Sequence, residues 1–268
     1  MSKILTTLLL TLCLSVGAAW AGDVEDADAA LDRKDYATAL KKYKQAAEKN
    51  NAFAKIIVGN MYNEGWGVVQ DYAEAVRWYK MAATQDSVLA QLYLGTKYFN
   101  GQGVVQDYAE AVRWYKLAAA QGLPTAQFNV GVSYNIGQGV VQDYAEAVRW
   151  YKLAAAKGNA AAQSNLGAMY DNGHGVVQDY AEAVRWYKLA AAQGNVNAQY
   201  NLASMYYSGK GAVQDYVRAH MWSNLASVSS EENKKKRDAI ASFMTGQQIA
   251  EAQKLARECQ AQNFKNCD

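Results

Sequence analysis

The side chains best suited to catalysis or metal binding are few and scattered. Histidine, the usual base and metal ligand near neutral pH, occurs only at His174 and His220. Neither histidine has the set of cysteine or carboxylate neighbours that a metal site needs. The sequence also contains no HExxH, GxSxG or phosphate-binding glycine loop. We read His174 as a linker side chain and His220 as a satisfied core residue, and we predict no metal, no cofactor and no enzymatic activity.

The cysteines favour a structural role. Cys13 lies in an apolar run near the start of the chain, whereas Cys259 and Cys267 stand close together near the end of a predicted helix. A disulfide can join these two if the chain turns at residues 263–266, and it would stabilise the fold by about 2–3 kcal/mol. A bridge between two chains and free thiols are the alternatives. CxxC and CxxCH motifs are absent, so redox catalysis and haem attachment are not indicated.

Residues 1–21 have the features of a secretory signal peptide. Lys3 is followed by an apolar run over residues 4–16, and Ala19-Trp20-Ala21 fits an A-x-A cleavage site. The alternative is an N-terminal membrane anchor, although the run is short for a membrane span. We predict cleavage after Ala21, a periplasmic or secreted location in a Gram-negative bacterium, and no stable membrane insertion after the signal is removed.

The composition favours a globular, helical chain without a strong electrostatic field. Hydrophobic residues make up 51% and charged residues 19%, and Pro124 is the one proline in the sequence. The formal charge of +2 loses one unit with Lys3, which leaves +1. A near-neutral protein does not attract nucleic acid from a distance, so we predict no nucleic-acid partner. The basic run at residues 234–237 is flanked by acids and is read as a solvated helix face.

One motif dominates the rest of the chain. The residues VVQDYAEAVRWYK begin at Val68 and return unchanged at Val104, Val140 and Val176, and an eroded copy begins at Ala212. The regular spacing of these starts is typical of helical solenoids. Each copy reads as a helix capped by aspartate, with a glutamate three residues on that completes a capping box, as in Asp71 and Glu74. The helix has an apolar arc wider than one partner helix can cover. Stacked copies can bury that arc, so the sequence predicts an all-α solenoid of helix-turn-helix repeats.

A less uniform helix precedes each motif. Its repeated positions are Ala54, Gly59 and Tyr62 in the first copy, followed by the linker Gly65-Trp66-Gly67. A mid-helix glycine costs about 1 kcal/mol against alanine, so we expect a bulky ring from another helix to need the space beside it. The pattern A-Q-x-x-L-G-x-x-Y-x-x-G-x-G-V-x-x-D-Y-x-x-A-x-x-W-Y-x-x-A-A resembles the Sel-one-like repeat (SLR) family, kin to tetratricopeptide repeats. The resemblance implies a right-handed α-solenoid with a period of 36 residues.

The repeats set the predicted domain organisation. A signal peptide (1–21) and N-terminal capping helices (22–51) come first, and a C-terminal helical cap (229–268) comes last. Five repeats fill residues 52–228, at 52–87, 88–123, 124–159, 160–195 and 196–228.

Comparing the five repeats with one another singles out one face of the first helix. The positions equivalent to 53, 56, 60 and 63 differ between copies and form one stripe, here called the variable stripe, whereas the packing positions are copied. In related solenoids the first helices line the concave surface, so we predict that this stripe binds a partner. Relaxed drift of an unused surface, or burial against the adjacent repeat, is the alternative. The predicted contacts are Ile56, Asn60, Leu92, Phe99, Phe128, Val132, Asn135, Tyr200 and Tyr207.

The resemblance implies an exported protein-protein interaction module that binds a partner protein or peptide. We expect it to be a monomer with a role in envelope function or host-cell interaction. Two other classes of function stay open. One is a β-lactam-binding or hydrolysing enzyme, but the family members with that activity carry a cysteine pair in each repeat and these repeats have none. The other is a self-assembling structural protein whose apolar stripe closes on another copy.

Overall fold

The computed structural model describes residues 21–227, 231–265 and 267. The predicted signal peptide therefore lies outside the described residues, apart from Ala21. The described chain forms fourteen α-helices and contains no strand. They are α1 (Ala21–Asp32), α2 (Tyr36–Glu48), α3 (Ala52–Glu64), α4 (Tyr72–Ala83), α5 (Val88–Asn100), α6 (Tyr108–Ala120), α7 (Pro124–Ile136), α8 (Tyr144–Ala156), α9 (Ala160–Asn172), α10 (Tyr180–Ala191), α11 (Val196–Ser208), α12 (Tyr216–Ala226), α13 (Glu231–Ala241) and α14 (Gly246–Ala261). Over these ranges, no helix combines the length and the apolar character needed to cross a membrane.

The chain divides into two compact units, residues 1–107 and 108–268. The first unit contains α1 to α5, and within it each helix packs against the one that follows, up to the pair of α4 and α5. In the second unit the same holds from α6 to α12, and α12 then packs against both α13 and α14. The first helices of the repeats are α3, α5, α7, α9 and α11, and the second helices are α4, α6, α8, α10 and α12. This succession of helix pairs confirms the predicted all-α repeat fold.

Aspartate begins the second helices, as the sequence predicts. The Asp179 carboxylate accepts hydrogen bonds of 3.0 Å from the N–H groups of Ala181 and Glu182, two donors that the helix leaves unpaired. The glutamate expected to complete a capping box pairs with an arginine instead. Glu182 lies 2.5 Å from Arg185, one turn further along α10. The first turn is thus held by aspartate alone, and the glutamate contributes to an ion pair on the solvent side.

A tyrosine ring fills the space beside the mid-helix glycine. A Cβ atom added to Gly167 on α9 would lie 2.7 Å from the ring of Tyr187 on α10, and Tyr187 is only 1% exposed. Gly131 and Tyr151 repeat this arrangement, which confirms that the glycine makes room for a ring of another helix. In the fifth repeat the equivalent residues are an alanine and a serine, Ala203 and Ser223. Where the ring is lost, the glycine is lost with it.

The Gly-x-Gly linker contacts the preceding repeat, and we call this contact the linker clasp. Gly175 has φ +70°, and a Cβ there would lie 2.3 Å from the carbonyl oxygen of Tyr144, the first residue of α8. The residue between the glycines covers the same tyrosine, since the His174 ring stacks on Tyr144 with centroids 4.7 Å apart. Lys210 lies 5.0 Å from the Tyr180 ring in the next copy. The paired glycines therefore allow close backbone contact as well as unusual backbone angles.

The C-terminal segment is fixed by a covalent bond. Cys259 and Cys267 form a disulfide, one of the arrangements the sequence leaves open. The loop that the bond closes carries Phe264, whose N–H bonds the Cys259 carbonyl at 2.9 Å. The Phe264 ring lies against Gly194 at the end of the fourth repeat. The cap is thereby joined to the repeats by an aromatic contact.

Candidate partner-binding surface

In the first unit the variable stripe is largely engaged within the fold. Ile56 is only 4% exposed, so it belongs to the core of its hairpin and not to a surface that a partner can reach. The Asn60 side chain accepts a 2.8 Å hydrogen bond from the Tyr79 hydroxyl, on the second helix of the same repeat. Leu92 and Phe99 are half-buried. Of the predicted contacts in this unit, Leu92 and Phe99 are the apolar ones that are not fully buried.

A buried lysine beside this stripe was not anticipated. Lys97 donates to the side chains of Asn63 and Gln102, and its ammonium lies 4.6 Å from the Tyr72 ring. Burial lowers the pKa of the Lys97 ammonium, and the nearby Glu64 charge opposes that shift. The sequence did carry a signal, because other repeats place methionine or serine at this position. The site anchors Asn63, a stripe residue, by charge-assisted hydrogen bonds.

In the second unit the stripe begins as an apolar surface packed on the next helices. The Phe128 ring lies 5.9 Å from that of Tyr151, and Val132 packs against the core of α8 and α9. Burial against the adjacent repeat, the alternative reading, describes part of their surface. Asn135 and Ala168 are half-exposed stripe positions further along. Burial raises the pKa of the Asp171 carboxyl, which accepts a hydrogen bond from Tyr187, and Lys210 partly offsets this.

In the last repeat the stripe is occupied by the protein's own C-terminal segment. The Lys236 ammonium of α13 lies 3.7 Å from the centroid of the Tyr200 ring and donates to the Ser204 hydroxyl. Beyond α13, the Phe243 ring packs edge-on against Tyr207 at 5.8 Å. Of the predicted contacts, Tyr200 is thus covered by α13 and Tyr207 by the turn that follows it. The basic run is not wholly solvated as predicted, because burial lowers the pKa of the Lys236 ammonium.

Among the described residues, no group of three histidine, cysteine, aspartate or glutamate side chains could hold a metal ion. His220 is buried as expected, but its Nδ1 atom has no hydrogen-bond partner within the described chain. Burial lowers the pKa of His220, Arg237 on α13 lowers it further, and Asp238 acts in the opposite direction. The imidazole is therefore neutral in the fold at neutral pH.

His220 makes the stability of the protein sensitive to mild acid. Below about pH 6.5 the unfolded chain binds a proton at His220, whereas the folded chain does not, because its pKa there is lower. The contribution of His220 to stability is therefore present above pH 6.5. It is lost as the pH falls towards the lower pKa of the folded state. One such group adds a slope of at most about 1.4 kcal/mol per pH unit. We expect His220→Val, which restores the residue of the other repeats, to remove this slope in urea unfolding between pH 7.5 and pH 5 (about the range in which histidine titrates). Equal pH dependence in the variant and the wild type would contradict the assignment.

These features define a class: an all-α repeat protein in which both helices of each pair contribute buried residues to the core. The chain belongs to the Sel1 repeat family, whose profile matches residues 52–87, 88–123, 124–159, 160–195 and 196–227. No curated protein matches the chain.

Two solved structures are similar to most or nearly all of this chain. One is a protective antigen present in uropathogenic Escherichia coli strains and displaying an SLR fold, with a TM-score of 0.82 and 31% identity. That match covers 99% of this chain and 57% of the antigen, so the chain spans little more than half the antigen's length. The other is a Sel1 repeat protein from Oxalobacter formigenes, with a TM-score of 0.75 and 32% identity over 88% of this chain and 99% of that one. Sel1 repeat proteins are in general protein-interaction scaffolds and not enzymes.

Proposed function

We propose that this protein is an exported interaction module that binds a helical segment of a partner protein along its variable stripe. The observation that carries the proposal is the contact of α13 with the last repeat. There the stripe already binds helix α13 through Lys236, which lies over Tyr200 and donates to Ser204, and the turn after α13 adds the contact of Phe243 with Tyr207. The equivalent positions of earlier repeats differ in side chain, which suits recognition of a partner with its own sequence.

Export and a monomeric state are part of the same proposal. The signal-like residues 1–21 support delivery to the periplasm or the exterior of a Gram-negative bacterium. Similarity to a protective antigen of uropathogenic Escherichia coli is in keeping with that location and with contact with host cells. Mass spectrometry of the protein from its native host should find a mature chain that begins at Gly22. A cytoplasmic chain that retains Met1 would contradict export, and micromolar self-assembly in light scattering would favour the structural role instead.

Photocrosslinking tests the stripe directly. We expect benzoylphenylalanine at the half-exposed Asn135 to form a discrete adduct with one partner, because this position lies on the stripe. The matched control is Val141, which is 89% exposed in the linker of the same repeat. Adding Ala168→Glu on the neighbouring repeat should weaken the adduct, because it introduces an unpaired charge into an apolar contact. Equal adducts from both positions, or an adduct indifferent to Ala168→Glu, would contradict the proposed surface.

A further inference from the structure

A cavity of about 500 Å³ opens beside the C-terminal disulfide. None of its lining residues belongs to the variable stripe, so it is a separate feature of the second unit. Its walls come from α10, from Trp222 on α12, and from the loop that the disulfide closes. The lining includes Arg185, Lys188, Leu189, Trp222, Phe264 and Cys267.

The charge of this cavity has one sign. Arg185 and Lys188 line it, and none of its lining residues within the described chain is acidic. The Arg185 guanidinium is held in place by Glu182 and lies 4.4 Å from the Trp186 ring, and its side chain remains 57% exposed. The Lys188 ammonium lies 5.7 Å from the Tyr206 ring. Glu182 pairs with Arg185 and is not itself a lining residue, so the charged side chains that line the cavity within the described chain are both cations.

The remaining walls are apolar and aromatic. Trp222 is only 2% exposed, and its indole N–H has no hydrogen-bond partner among the described residues, a feature that the tryptophans of the other repeats share. In three of the other repeats an arginine stacks on the tryptophan that follows it in the sequence, at Arg113, Arg149 and Arg185. Trp222 has no such arginine, because Met221 occupies the equivalent position. Leu189 and the Phe264 ring complete an apolar surface beside the two cations.

The disulfide holds the aromatic wall in place. Asn263 and Phe264 both have positive φ, an uncommon conformation for side-chain-bearing residues that persists where surrounding structure enforces it. Here the enforcement comes from the Cys259–Cys267 bond and from the packing of the Phe264 ring on Gly194. The cavity is thus preformed, as small-molecule sites usually are.

We propose that this cavity binds a small organic anion with an aromatic or branched aliphatic body. The carboxylate or sulfonate of such a ligand lies at Lys188 and Arg185, and its apolar body packs against Leu189 and Phe264, with the buried Trp222 behind them. This combination of one charged end and one apolar face matches the cations and the walls described above. The site goes beyond partner binding, because it uses the second helix α10 and the terminal loop instead of the first helices.

Two fluorescent probes of the same shape test the proposal on the oxidised mature protein. We expect anilinonaphthalene sulfonate to bind saturably at one site, and its neutral counterpart phenylnaphthylamine to bind about tenfold more weakly, because the latter lacks the anionic group. The double variant Arg185→Gln/Lys188→Gln should weaken sulfonate binding about tenfold and leave the neutral probe unchanged. Phe264→Ala should weaken both probes, because it removes the shared apolar wall.

The chain provides its own matched control. Helix α8 has the same sequence as α10 over these turns, with Arg149 and Lys152 in the equivalent places. Arg149→Gln/Lys152→Gln should therefore leave sulfonate binding unchanged. The proposal is overturned if that control weakens sulfonate binding as much as the α10 variant does, or if the neutral probe binds as tightly as the sulfonate. It is also overturned if the α10 variant changes the affinity for the sulfonate less than twofold (about 0.4 kcal/mol) while it melts like the wild type. A loss of fold in the α10 variant would be visible in its melting, and Phe264→Ala then decides the result alone.

Discussion

Replacing Gly175 by alanine is expected to lower the free energy of unfolding by about 2–5 kcal/mol. Two effects add. A side chain at φ +70° costs about 1–2 kcal/mol, and the new Cβ would meet the Tyr144 carbonyl oxygen at 2.3 Å, which forces α8 and the linker apart at a cost of about 1–3 kcal/mol. Backbone cannot rotate away as a flexible side chain can. Urea unfolding followed by far-UV circular dichroism measures the loss.

Gly158 separates the two effects. It has φ +82°, but a Cβ there would meet nothing within 4 Å. Gly158→Ala should therefore cost only the backbone strain of about 1–2 kcal/mol. Of the two glycines, Gly175 lies against the preceding repeat and Gly158 does not. Equal losses of unfolding free energy in the two variants would therefore show that the linker clasp is not a close packing contact.

Tyr187→Ser is expected to lower the free energy of unfolding by about 3–5 kcal/mol, because it removes a fully buried ring. In that background, adding Gly167→Ala should restore about 1 kcal/mol, the ordinary helix preference for alanine. In the wild type the same Gly167→Ala change should instead destabilise the protein, because the added methyl would lie 2.7 Å from the Tyr187 ring. The sign of one substitution thus depends on a residue of the neighbouring helix. A double-mutant cycle in urea measures this coupling.

The fifth repeat provides the control for this cycle. It already holds Ala203 and Ser223 at the two equivalent positions. Ala203→Gly should cost about 1 kcal/mol there, since no ring occupies the space. If Gly167→Ala stabilised the wild type, the ring-and-glycine arrangement would not account for the repeated glycine.

Much of the fold could be predicted because the chain contains five copies of one helix-turn-helix repeat. The capping aspartate, the mid-helix glycine and the paired linker glycines recur at fixed spacing while the variable stripe changes, which indicates that these positions are structural. Repetition also indicated the glycine at 167 as a space for a ring, since no single helix benefits from it. The glutamate completes no capping box because the N–H of the capping aspartate already donates to the first helix, as Asp179 does to the Tyr170 carbonyl, and the carboxylate pairs with arginine instead.

Contacts that are not repeated along the chain could not be predicted from the sequence. Lys236 and its approach to Tyr200 depend on where α13 lies, and no second copy of α13 exists for comparison. The burial of Ile56 was missed because side-chain variation among copies is the same for a surface in use and for a core repacked locally. Lys97 could have been found as a charged residue at a position of methionine or serine, although its amide partners could not.

The linker clasp makes every joint of the array alike at the level of the main chain. Gly139, Gly175 and Gly211 each approach the carbonyl group that begins the preceding second helix, and no side chain of the glycine takes part. A whole repeat inserted or removed between two such joints meets the same main-chain contact on either side. Unequal recombination in the gene can consequently add or remove whole repeats while the main-chain contact between repeats is kept. Evolution can therefore change the length of the repeat array in steps of one repeat.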